Sequence, residues 1–90
     1  MPTAHLLVTG RVQGVGFRWF VRVAGRRLGL AGWVRNREDG GVELAASGPQ
    51  DKLDELRKQV RRGPDAAQVS DVKDLEPIEG ELEFPFGMHR

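Results

Sequence analysis

The chain has 90 residues, 39% of them hydrophobic, a formal net charge of +1 and no cysteine. That length supports one domain spanning residues 1–90 that buries roughly 60 to 65% of the unfolded chain's surface, and leaves no room for a second. Without cysteine there is no disulfide stapling, thiolate zinc site or phosphocysteine intermediate, and with only His5 and His89 to supply imidazole, neither set beside paired carboxylates, no metal or other cofactor is expected.

No stretch of 18 apolar residues occurs, and Met1-Pro2-Thr3-Ala4-His5 does not read as a secretory leader, so a cytoplasmic protein is expected. The small net charge hides an asymmetry. Residues 1–37 carry seven arginines (Arg11, Arg18, Arg22, Arg26, Arg27, Arg35, Arg37) and no acid, while the remainder holds all 13 acids against seven basic groups. The balance of +7 against −6 directs an anion, either a small phosphate or a nucleic acid, to the N-terminal half. A solvated basic helix face is the plainer alternative.

His5-Leu6-Leu7-Val8-Thr9 reads as a central strand ended by Gly10. After a glycine-rich stretch, Phe17, Phe20, Val21, Ala24 and Leu28 recur with the period of one helix face, and Gly29 supplies the C-terminal stop. Residues 31–36 and 42–46 form the arms of a hairpin around Asp39-Gly40-Gly41. A second helix starts near Gly48-Pro49, with proline at its first helical position, buries Leu53, Leu56 and Val60, and ends in Arg57, Lys58, Arg61 and Arg62 before Gly63-Pro64. A fourth strand is expected at about Gln68 to Leu75, and a short fifth around Leu82 to Phe84 in the acidic tail. The order is β-α-β-β-α-β: an α+β, ferredoxin-like sandwich, an antiparallel sheet with two helices on one face.

Gly10-Arg11-Val12-Gln13-Gly14-Val15-Gly16-Phe17-Arg18 joins the end of a strand to the start of a helix, where backbone N–H groups and the helix dipole favour an anion. It is neither a P-loop nor a dinucleotide fingerprint, because Val15 and Trp19 stand where those motifs need glycine. A plain tight turn fits the loop equally well. Arg18 in the first helical turn opposes the dipole at a cost of roughly 0.3 to 1 kcal/mol. The misfit disappears if a phosphate sits between its planar fork and the loop amides; otherwise Arg18 is a solvated surface cation. Asn36, near the end of the second strand, lies about 10 Å from the loop across two strand spacings. Its amide could orient a water by donating and accepting at once, or it could serve the following turn.

Taken together, Gly10 to Arg18 and Gly32-Trp33-Val34-Arg35-Asn36 with Asp39-Gly40 resemble the two signatures of the acylphosphatase family, and the resemblance extends over residues 5 to about 75. It implies a metal-independent hydrolase that cleaves the carboxyl-phosphate bond of acyl phosphates. It also implies catalytic roles for Arg18 and Asn36, with Gln13, Gly14, Val15, Gly16 and Phe17 as the phosphate cradle. The C-terminus departs from the pattern: Pro85 and Gly87 interrupt the segment where family members run an unbroken short strand, and proline cannot donate to a ladder.

The residues agree with that chemistry. One guanidinium, a nest of amides and one carboxamide suit a phosphate whose leaving group is a carboxylate, a weak base with pKa about 4; an alkoxide would need an acid or a metal. The partners expected are a small acyl phosphate and inorganic phosphate, as product and competitive inhibitor, acting on a monomer. The alternative is a non-enzymatic phosphate- or nucleic-acid-binding module of the same fold. Its RNA-binding form stacks bases on aromatics of the first and third strands, and none occur in 5–9 or 42–46.

Overall fold

The computed structural model describes residues 1–89. Its elements are β1 (Thr3–Arg11), α1 (Phe17–Arg27), β2 (Ala31–Asn36), β3 (Val42–Ser47), α2 (Gln50–Arg62), β4 (Gln68–Asp74) and β5 (Gly87–Met88). The sheet has five strands in the order β4-β1-β3-β2-β5. β3 lies between β1 and β2 and is antiparallel to both, so β1 and β2 run parallel and end at the same edge of the sheet. This is the α+β, ferredoxin-like arrangement, and it brings the loop after β1 and the end of β2 to one side of the molecule.

Alternation along the strands explains the core. Leu6 and Val8 of β1, Val34 of β2 and Val42, Leu44 and Ala46 of β3 are buried with Phe17, Val21 and Ala24 of α1 and Leu53, Leu56 and Val60 of α2 in one cluster. Each larger side chain removed from water there contributes about 1.5 to 3 kcal/mol. No helix among the described residues is long and apolar enough to cross a membrane.

Four details differ from the sequence expectation. β1 does not stop at Gly10 but continues to Arg11 through a register shift between Thr9 and Gly10. Pro49 occupies the N-cap of α2 rather than its first helical position, and its carbonyl accepts from Lys52 and Leu53 at 3.0 and 3.1 Å. The fifth strand is not at Leu82 to Phe84. It forms at Gly87–Met88, beyond Pro85, where a backbone with its N–H groups intact can pair with β2. Finally, the sheet is mixed rather than wholly antiparallel, because β5 runs parallel to β2, setting Gly87 beside Trp33 and Met88 beside Val34.

What moves the last strand is Phe86, fully buried against α1. Gly25 is the reason it fits: a Cβ at that position would come within 2.6 Å of the Phe86 ring. Glycine inside a helix costs about 1 kcal/mol against alanine, and here the bare backbone accepts an aromatic ring in return. Arg26 Nε donates to the Phe86 carbonyl at 2.7 Å and fastens the same segment from the side.

Candidate active site

The loop between β1 and α1 is anchored at both ends of its apolar part: Val12 and Phe17 are buried, and Val15 packs against the core. Between them Gly14 and Gly16 take the left-handed conformation, with φ of 75° and 77°, which glycine alone adopts without strain. Gly16 caps α1 without a side-chain hydrogen bond, and the first turn holds no acid. The first intrahelical bond runs from Phe20 N to Gly16 O at 3.0 Å. The amides of Phe17, Arg18 and Trp19 therefore precede the helical ladder and point out of the N-terminus, as anion-binding helix ends do.

A recess of about 220 Å³ opens beside this loop, lined by Val12, Gly14, Gly16, Phe17, Arg18, Trp19, Asn36 and Met88. Arg18 and Asn36, 18 positions apart in sequence, thus face one space. Of the five cradle residues expected from the sequence, Gly14, Gly16 and Phe17 line it, whereas Gln13 and Val15 do not. A larger depression of about 590 Å³ follows the hairpin from Arg35 to Asp39. Asn36 borders it too, but it has neither the loop amides nor Arg18, and its two guanidinium groups, Arg35 and Arg37, are already paired with Glu43 and Asp39.

Asn36 is the last residue of β2, opposite Val42, and shares a strand face with the buried Val34. None of the hydrogen bonds among the described residues engages its carboxamide. The turn that follows has its own side-chain acceptor: Gly41 N donates to Asp39 Oδ1 at 3.0 Å, and Arg37 N to Gly41 O at 2.8 Å. That amide, followed by the charge and hydrogen bond of Arg37, holds the Asp39 carboxyl below its ordinary range against a partial desolvation that opposes it.

Three supports were not visible in the sequence. Arg18 Nη1 donates to the carbonyl of His89 at 2.9 Å, and His89 N donates to Val34 O at 2.8 Å, so the end of β5 holds the guanidinium next to β2. Gln13 Nε2 donates to the carbonyls of Arg37 and Gly41 at 2.7 and 2.8 Å, tying the loop to the hairpin. Glu43, buried on β3, gathers His5, Arg35 and Arg37 on the far side of the sheet, with Arg35 Nη2 at 2.6 Å from its Oε1. Burial raises the Glu43 carboxyl, but the bonds from His5 and Arg35 more than offset this and leave it below its ordinary value. Each support links residues at least six positions apart, so no local motif announces it. Among the described residues, no three His, Asp or Glu side chains converge as an ion site would require.

The acylphosphatase family model matches residues 4–85, nearly the whole chain and every residue of the recess but Met88. The chain belongs to the acylphosphatase family. An acylphosphatase of Koribacter versatilis is 61% identical over 71 residues, a match spanning 79% of this chain and 64% of that protein. Among solved structures, acylphosphatase from Bacillus subtilis superposes with a TM-score of 0.86 at 39% identity and covers both chains fully. One from Coxiella burnetii gives 0.88 at 38% identity, covering 97% of this chain and 90% of that one. The acylphosphatases thus share this fold across the loop, the hairpin and the C-terminal segment.

Proposed function

We propose that residues 1–90 act as a single acylphosphatase unit, hydrolysing acyl phosphates to carboxylate and inorganic phosphate, with Arg18 and the loop amides holding the phosphate and Asn36 placing the water. The observation that carries the reading is the shared recess, in which a guanidinium and a carboxamide meet from two elements over a left-handed glycine loop. The resulting donor set is fixed before substrate arrives. Arg18 is held by a carbonyl and the loop by Gln13, so neither has to reorganise as charge builds on the equatorial oxygens.

In the proposed step the water oxygen bonds to phosphorus while the bond to the acyl oxygen breaks. The acyl oxygen leaves with the electron pair as a carboxylate, and both protons of the water stay on the phosphate. No covalent enzyme intermediate forms. Because a carboxylate leaves without protonation, the chain needs neither a general acid nor a metal for this bond. Inorganic phosphate, which keeps the part of the substrate that Arg18 holds, should compete with it. A chain without cysteine also suits a reducing cytoplasm, where we place it as a monomer.

The test is hydrolysis of acetyl phosphate in excess chelator. Turnover should persist while phosphate monoesters remain nearly untouched; activity that chelator abolishes and a divalent ion restores would refute the metal-independent mechanism.

A further inference from the structure

The recess ends at two residues, Gly16 and Trp19, that also form the near wall of a second cavity of about 290 Å³ between α1 and α2, lined further by Phe20, Val23, Ala24 and Pro64 with Arg27 and Gln59 as its polar members. We propose that this groove is the binding site for the acyl group, and that the preferred substrates carry an extended apolar acyl chain rather than acetyl. The inference rests on the hydrolase reading given above.

Reaction geometry sets the direction. Attacking and leaving oxygens lie roughly in line through phosphorus. Asn36 and Met88 belong to the paired strands β2 and β5 and bound the recess on the sheet side, whereas Gly16 and Trp19 belong to the loop and helix. A water placed by Asn36 therefore puts the leaving carboxyl toward Gly16 and Trp19, and the acyl chain continues past them. The groove there runs along α1, one helical turn separating Trp19 from Val23 and the next bringing Arg27, about 12 Å in all. It falls just under the usual range for small-molecule sites, as suits one acyl tail.

Trp19 has no packing reason for its place. It is 57% exposed at the mouth of the site, with the Arg22 guanidinium 4.7 Å from its ring centroid, which steadies the indole without covering the groove. Arg27 at the far end can lay its aliphatic stem along a bound chain while its charge remains in water.

The experiment compares kcat/KM for acetyl and hexanoyl phosphate, which both leave as alkyl carboxylates and so match in chemistry. Burying a methylene is worth about fourfold, so seating two of the four extra carbons should favour hexanoyl phosphate by about tenfold or more. Val23→Asp, which puts a charge in the groove outside the recess, should bring that ratio close to one; Val23→Leu should keep it. Equal kcat/KM for the two substrates in the wild-type chain, or a ratio that Val23→Asp leaves unchanged, would overturn the acyl site alone. Failure to hydrolyse either substrate would overturn the hydrolase reading and the acyl site with it.

Discussion

Two groups of arginine flank the same sheet and are treated in opposite ways. Arg35 and Arg37 converge on the buried carboxylate of Glu43, and Arg37 also reaches Asp39 at 3.1 Å, so their charge is met inside the protein. Among the described residues Arg18 meets a backbone carbonyl and no acid, so the contact orients the guanidinium without neutralising it. Both groups belong to the acid-free first 37 residues, and charge counting alone does not separate them. Partnership does: a cation answered by a buried acid serves the fold, and one answered by a dipole remains available to an anion.

The comparison breaks most sharply at Arg18. Arg18→Ala should lower kcat/KM by about 10³-fold, the upper range for a lost preorganised donor, with an unfolding midpoint close to wild type. Arg18→Lys keeps the charge but not the fork, and should still lose turnover together with competitive inhibition by phosphate. Arg35→Ala is the counterpart, costing stability and leaving kcat within a few-fold. Equal kinetic losses at Arg18 and Arg35 would erase the distinction.

Next is Asn36, where positioning rather than charge is at stake. Asn36→Ala should lower kcat by about 10²-fold while inorganic phosphate inhibits as before, and Asn36→Asp should be at least as inactive yet folded. Since Asp39 already supplies the turn's acceptor, neither variant should shift the urea midpoint by more than about 0.5 kcal/mol. A large loss of stability with turnover preserved would return Asn36 to the hairpin. A smaller effect is expected from Gln13→Ala, which frees the loop from the hairpin without removing a donor from the recess. A fall of about tenfold in kcat/KM, recovered in part by raising substrate, would mark it as a positioning residue.

The smallest kinetic effect, and a distinct pH signature, should come from Glu43. Its carboxyl is depressed in the folded chain from an ordinary value of 4.5, so the stability it confers is fully present above that pH and is lost as pH falls through the lower folded value. Glu43→Gln should be less stable than wild type at neutral pH by about 1 to 3 kcal/mol, and the gap should narrow on acidification below about pH 4.5. Urea midpoints measured from pH 7 to 3 check this. A gap that stays constant would show that ionisation is not what the cluster contributes.

The parts of the molecule legible in its sequence were those written locally. Helical periodicity marked α1 and α2, Asp39-Gly40 marked the hairpin, and the misfit of Arg18 with its helix dipole marked the recess. The parallel relation of β1 and β2 then brought Asn36 to the same side. What remained hidden depends on distant partners: Gln13 reads as one loop residue among others until the hairpin carbonyls stand opposite it, and His5 as strand filler until Glu43 does. The last strand was expected four to five residues too early because local propensity favours 82–84, whereas burial of Phe86 decides where pairing resumes.

The seat of Phe86 on Gly25 changes how a library of random variants of this protein should be interpreted. Gly25 lies mid-helix and touches no substrate, yet any side chain there must displace the ring, and with it β5 and the His89 carbonyl just beyond it that steadies Arg18. Substitutions at Gly25 should therefore score alongside those at Arg18 in a screen for activity, though the two positions are seven residues apart and differ wholly in chemistry. A helix glycine that ranks with the site in such a screen would owe its rank to a peg driven in from the far end of the chain.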